Sequence, residues 1–300
     1  MVTPKRPEGS LSANFRLSRR GLAAAIFTGY AAAALSAAAD PIRTDDTDLV
    51  AEIVRIPTAD GRTIRGYVAR PRAGGRFPAV IVASEIFGLH AYIMDVCRRL
   101  AKLGYVAIAP GFFDRAGDPA PLTDMQQIRA IVATASDQQV MSDVGSTLRF
   151  LDGQPYVDAR KIGITGFCWG GKVVWNACET FPDFKAGVAW YGQLAPRPGQ
   201  PVDPAHPRLW PVDHAADLKA PVLGLYGGKD PFSAAVPAMR AALAAAGKAD
   251  CEIIIYQDAG HGFHADYRSS YVASDAIDGW QRLLAFFGAN GLLPRPFRYR

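Results

Sequence analysis

The sequence is poor in cysteine and histidine, with four and five of them in 300 residues. Four widely spaced cysteines exclude a small disulfide-stapled scaffold. There is no C-x-x-C and no histidine pair at metal-ligand spacing, so no metal site is expected. The one glycine-rich turn, at residues 166–171, lacks G-x-G-x-x-G, so no dinucleotide or other cofactor is implied. Its 29 glycines and 22 prolines are too few and too scattered for a collagen-like or low-complexity chain. An apolar share of 49% against 20% charged residues excludes a disordered one.

Net charge is also scarce once it is located. The chain carries +5 in all. Residues 1–39 hold Lys5, Arg6, Arg16, Arg19 and Arg20 against Glu8 alone, so +4 sits there and +1 on the remainder. A domain at +1 has no basic excess for phosphate contacts, which removes nucleic acid as a partner. From Leu22 to Ala39 runs an uncharged stretch of 18 residues, ten of them Ala, ending Ala37-Ala38-Ala39 before Asp40. Basic, apolar and small residues in that order read as a cleaved export signal. Ser18-Arg19-Arg20-Gly21-Leu22 resembles the twin-arginine type, which implies a periplasmic or secreted protein touching the membrane only in transit. An uncleaved anchor and an ordinary N-terminal helix are the competing readings, and the stretch is short and weakly apolar for a span.

Beyond it, strand and helix patterns alternate. Leu49–Ile56 and Thr63–Ala69 flank Asp60-Gly61 as a hairpin. Ala79–Ala83 is a short all-apolar run suited to a strand covered on both faces. Further strands are expected at 106–109, 161–165, 186–191, 222–226 and 251–256. Helices are expected at 92–103, 124–135, 138–151, 170–180, 237–246 and 274–287. The alternation predicts one α/β domain over residues 45–290, with a mostly parallel sheet and helices on both faces, followed by a tail at 291–300. The Pro-rich stretch from Gln193 to Lys219 has no period and reads as a surface insertion.

The chemistry concentrates at three strand ends. The strand before Gly166-Phe167-Cys168-Trp169-Gly170-Gly171 and the helix after it give the strand–turn–helix context of G-x-S-x-G, with cysteine in the nucleophile position. Such a turn is strained, and Cβ atoms beside it would collide with strand or helix, which explains the glycines. It lifts the sulfur above the sheet and offers the Trp169 N–H to a developing oxyanion. Asp230 follows a buried strand on a turn, where it can orient a histidine or cap the next helix. His261 sits on a Gly-flanked loop after the last strand. The order Cys168, Asp230, His261 is nucleophile, acid, base, as in α/β-hydrolases. The competing reading of each residue alone is structural: a buried thiol, a turn aspartate, a loop histidine. Ser84 as an alternative nucleophile sits on no elbow. Cys97, Cys178 and Cys251 read as buried free thiols, with a pairing left open.

These motifs, with Ser84-Glu85-Ile86-Phe87-Gly88, Gly228-Lys229-Asp230-Pro231-Phe232 and Gly260-His261-Gly262-Phe263, resemble the dienelactone hydrolase (carboxymethylenebutenolidase) family over about residues 50–290. The resemblance implies an α/β-hydrolase fold and hydrolysis of a small lactone or activated ester through a thioester on Cys168. It implies Glu85 as the thiol-activating group, Ile86 and Trp169 as oxyanion donors, Arg115 as the substrate-carboxylate ligand, and Tyr191 and Phe232 as pocket aromatics. One position departs from the pattern: the family's second arginine, four residues after the histidine, is Ala265 here, with His264 and Arg268 nearby. A non-catalytic binding member of the same fold is the alternative that this departure raises.

Overall fold

The computed structural model describes residues 41–197, 199 and 207–297. The expected signal at residues 1–39 lies outside the described residues, as does part of the expected tail. Eight strands form one sheet: β1 (Leu49–Pro57), β2 (Thr63–Pro71), β3 (Phe77–Ala83), β4 (Val106–Pro110), β5 (Val157–Phe167), β6 (Phe184–Trp190), β7 (Val222–Gly227) and β8 (Glu252–Tyr256). Their order is β1-β2-β4-β3-β5-β6-β7-β8. β1 pairs antiparallel with β2, and β2 with β4; every other pairing is parallel. This is the mostly parallel α/β sheet that the alternation predicted, and the α/β-hydrolase fold that the resemblance implied.

Among the described residues six helices accompany the sheet: α1 (Ala91–Leu103), α2 (Met125–Thr134), α3 (Asp137–Asp152), α4 (Trp169–Thr180), α5 (Val236–Ala245) and α6 (Ala273–Ala289). Strand alternation divides the core into two layers. In β3, Phe77, Ala79, Ile81 and Ala83 belong to the layer that also holds Val140 and Val144 of α3, Val174 of α4 and Met239 of α5. Val80 and Val82 belong to the other layer, with Ile93 and Val96 of α1 and Trp280 and Leu283 of α6. All seven residues of β3 are buried, as the all-apolar run requires.

The helix ends follow local chemistry. α1 stops at Gly104, whose φ of 101° is the left-handed conformation that glycine adopts without strain. Asp124 and Ser136 cap α2 and α3 by accepting from the N–H groups of Gln126 and Gln139. The hairpin turn closes through the Arg62 carbonyl, which accepts from Thr58 N–H at 2.9 Å.

Two connections are more deeply packed than their composition suggests. The stretch read as a surface insertion puts Leu194, Ala215 and Leu218 into the core and forms two short 3-10 turns, Pro211–Asp213 and Ala215–Asp217. Its apolar residues are few and irregularly spaced, so they show no period, yet each finds a place against α4 and α5. Beyond α6, Leu292 is also buried, and its carbonyl accepts the Tyr105 hydroxyl at 2.7 Å.

Candidate active site

Cys168 stands between β5 and α4 with φ 56° and ψ −115°, a strained backbone for a residue with a side chain. The neighbouring glycines hold it there. A Cβ at Gly170 would lie 2.2 Å from the Ala83 carbonyl oxygen, and one at Gly166 2.3 Å from that of Gly170. At Gly171 it would meet the Trp190 carbonyl at 2.5 Å. The elbow is therefore wedged among the ends of β3, β6 and its own helix. The Cys168 N–H donates to that same Trp190 carbonyl at 3.0 Å. Ser84, at the end of β3, is fully buried.

The acid and the base are carried by two loops that the backbone ties together. Gly228 N–H donates to the Tyr256 carbonyl at 2.7 Å, and Lys229 N–H to that of Ala259 at 2.9 Å. Asp230 does both things its position allowed. Its Oδ1 accepts from Phe232 N–H at 2.9 Å, capping the following turn, and its Oδ2 accepts from His261 Nδ1 at 2.7 Å. The His261 ring is flanked edge-on by Tyr191 and Phe232, each with its centroid 5.1 Å away. Burial by itself opposes protonation of His261. The charge of Cys168, the hydrogen bonds to Asp230 and Cys168, and the charge of Asp230 outweigh it, and the pKa is pushed up to about 10.

Glu85 follows β3 and is fully buried. Its Oε2 accepts the Tyr267 hydroxyl at 2.6 Å and lies 3.3 Å from His90 Nε2. Its Oε1 accepts from Arg268 Nη2 at 3.0 Å. Burial alone would raise its pKa; the charge of Arg268 and the bonds to His90 and Tyr267 bring it down to about 2. Ile86 is half-buried on the turn after Glu85, and the Trp169 ring packs at 4.8 Å from Phe113. Among the described residues no acceptor takes the backbone N–H of Ile86 or of Trp169.

The arginines are arranged differently from the expectation. Arg115 does not face the cysteine with a free guanidinium. Asp143 accepts from Nη1 and Nη2 at 2.6 and 2.8 Å, and Asp60 from Nε at 2.9 Å. A second arginine, Arg268, is bonded to Glu85, and its raised pKa includes the charge of Glu85 as well as that of Cys168. Successive turns return the chain to it after His261: Ala265 N–H donates to the Gly262 carbonyl and Arg268 N–H to that of Ala265, each at 2.9 Å. Ala265 is fully buried, and His264 sits among the rings of Trp190, Phe167 and Trp280 with Nδ1 2.5 Å from the Tyr92 hydroxyl. Sequence reasoning also passed over His90 and Arg197, whose guanidinium lies 5.5 Å over the Phe232 ring. Neither belongs to a recognisable motif. The four cysteines are free, and burial raises the pKa of Cys97, Cys178 and Cys251.

A cysteine on a strained elbow after β5, with an aspartate and a histidine hydrogen-bonded to each other on the loops after β7 and β8 of this sheet, is the pattern of an α/β-hydrolase. Comparison with known sequences gives the family. The pattern of the dienelactone hydrolase family matches residues 64–291, and the chain belongs to that family. It is 48% identical to the "Putative carboxymethylenebutenolidase" of Methylorubrum extorquens over 288 residues, covering 94% of this chain and 97% of that one. It is 33% identical to the "Probable 2-oxo-3-(5-oxofuran-2-ylidene)propanoate lactonase" of a Bradyrhizobium species, covering 76% and 90%. Among solved structures, the "Putative Dienelactone Hydrolase" of Klebsiella pneumoniae superposes with a TM-score of 0.74 at 44% identity, covering 80% of this chain and 98% of that one.

Proposed function

We propose that this hydrolase opens small lactones or cleaves activated esters that carry a carboxylate, with Cys168 as nucleophile. The observation that carries the reading is the Asp230–His261 hydrogen bond, with the charge of Cys168 raising the pKa of both His261 and Arg268. His261 takes the thiol proton, and Asp230 fixes the tautomer and stabilises the imidazolium. Thiolate attack on the carbonyl gives a tetrahedral oxyanion, for which the N–H groups of Ile86 and Trp169 are the donors. Collapse forms a thioester on Cys168 and releases the alcohol or enol, protonated by His261. Water activated by His261 then hydrolyses the thioester. An enol-like leaving group suits a thiolate, since unactivated amides leave too poorly.

Arg268 takes the role of carboxylate ligand that the family pattern suggested for Arg115. Its presence also removes the support for a non-catalytic binding protein, which rested on Ala265 standing in place of an arginine. Tyr191 and Phe232 shape the pocket by confining the His261 ring. Residues 1–39 act as a twin-arginine-type signal that delivers the domain to the periplasm; N-terminal sequencing of exported protein checks this, and a start at Met1 would refute it.

The decisive experiment is turnover of a panel of lactones and aryl esters, with and without a carboxylate, by the full chain and by Cys168→Ala. Turnover should fall to the uncatalysed level in the variant, and carboxylate-bearing substrates should show the lower KM. Undiminished hydrolysis by Cys168→Ala would end the proposal.

A further inference from the structure

We propose that residues 41–47 form a strap that positions the loop carrying Arg268, acting through α1 with Asp95 and Arg99 as the positioning residues. The proposal rests on the reading of Arg268 as carboxylate ligand only for its effect on substrates.

The strap precedes β1 and is gripped by α1. Thr44 N–H donates to Asp95 Oδ1 at 2.6 Å, and the Thr44 hydroxyl to Oδ2 at 3.4 Å. Arg98 Nε donates to the Thr44 carbonyl at 2.7 Å. Lys102 Nζ donates to Asp45 Oδ1 at 2.7 Å and to the Thr47 carbonyl at 2.6 Å. Asp95, Arg98 and Lys102 succeed one another at the spacing that places side chains in one row along a helix.

A second row on the same helix meets the loop after His261. It consists of Tyr92, Asp95 and Arg99, spaced in the same way. The Tyr92 hydroxyl lies 2.5 Å from His264 Nδ1. Arg99 donates from Nε to Asp95 Oδ2 at 2.7 Å and from Nη2 to Asp266 Oδ2 at 2.5 Å. Asp95 stands in both rows, and its two oxygens join them. Oδ1 accepts from the strap and from Arg98, and Oδ2 from Arg99.

The loop depends on such outside ties. Its main-chain bonds close it on itself: Ala265 N–H donates to the Gly262 carbonyl, Arg268 N–H to that of Ala265 and Val272 N–H to that of Phe263. They set the shape of the loop and leave its place on the sheet to side chains. Asp266 directly precedes Tyr267 and Arg268, the two residues of the loop that donate to Glu85. Neighbouring Cα atoms are about 3.8 Å apart, so a shift of Asp266 carries Arg268 with it.

Thr44, Asp95, Arg99 and Asp266 are all buried. A guanidinium buried between two carboxylates gains no water when one of them moves, so the three groups move together or not at all. The charges of Asp95, Arg98, Arg99 and Asp266 sum to zero, so this chain acts on the site through position rather than through net charge.

Hydrogen exchange on the full chain tests the connection. Thr44→Pro removes the strap's N–H donor and lies outside the loop. Exchange should speed up at residues 41–47 and, on the order of tenfold, at residues 264–270, while α5 keeps its wild-type rate. If Thr44→Pro does not fold, Arg98→Met frees the Thr44 carbonyl and serves for the same comparison. A strap that loosens while residues 264–270 stay protected would overturn the proposal. So would a rise shared by α5, which marks a general loss of stability. Kinetics add a readout that such a loss would not give. KM for a carboxylate-bearing ester should rise about fivefold, with kcat and the KM of a neutral ester unchanged. The exchange measurement uses no ester. A loosened loop with an unchanged KM would therefore uphold the strap and count against Arg268 as the carboxylate ligand.

Discussion

Arg268 lies seven residues beyond His261 and donates to Glu85 at 3.0 Å, joining the histidine loop to the loop after β3. One loop thus carries both His261 and Arg268, and Glu85 of the β3–α1 loop receives that cation. Placing the two on one loop makes their separation a matter of local turns rather than of long-range packing.

The pair is buried on the glutamate side, so breaking it from one end should cost more than removing both ends. Arg268→Gln leaves an uncompensated carboxylate and should destabilise the protein by about 3 kcal/mol. The double variant Glu85→Gln/Arg268→Gln should recover at least half of that in urea unfolding. Additive losses would show that the two side chains do not depend on each other.

Asp230→Asn keeps the shape of the acid but not its charge. It should lower kcat by about 10³ to 10⁴, because the His261 tautomer is no longer enforced. The elevated pKa near 10 also depends on Asp230, so the histidine should titrate at lower pH in the variant. Steady-state kinetics and a histidine titration check the two halves separately.

Arg115 is expected to be structural. Arg115→Ala strips the charge partner from Asp143, whose side chain is fully buried, and should lower stability by about 3 kcal/mol. The preference for carboxylate-bearing over neutral esters should persist in whatever fraction remains folded. Loss of that preference would restore Arg115 as a substrate ligand.

Glu179 gives a pH dependence with a definite sign. It is buried, one of its oxygens has no partner, and burial with the charge of Asp217 pushes its pKa up to about 8. The unfolded chain releases this proton at the ordinary pKa, about 4.3, while the folded chain keeps it until about 8. Between those values the folded state binds more protons, so stability falls as pH rises through that window. Glu179→Gln should flatten the fall, by on the order of 2 kcal/mol between pH 5 and pH 8 in denaturant titrations.

The sheet and the placement of Cys168, Asp230 and His261 at strand ends were legible because they are written in local signals. Apolar runs of strand length, Gly104 after α1 and the glycines around Cys168 each report on their own few residues. Asp230 and His261 stand directly after strands, so strand order carries them to the same edge. The arginines show where that legibility ends. Arg115 has an apt position by motif, but Asp60 and Asp143 come from the hairpin and α3, and only the fold brings them to it. Arg268 has no motif, and its place depends on the turns after Gly262. His90 belongs to no motif, and only the path of the loop after β3 brings its ring to Glu85. The apolar residues of the 193–219 stretch obey no period because they plug gaps between helices rather than line one face.

The glycines at 166, 170 and 171 have a consequence for how the catalyst could change. They locate the elbow by contacts between main-chain atoms, and the Cys168 N–H is anchored to a carbonyl of β6. None of those contacts involves sulfur. Position and reactivity are therefore separately encoded, and a hydroxyl could occupy the same point in space without rebuilding its support. The scaffold is indifferent to the element that does the attacking; the choice of sulfur must be sought in the charges around it.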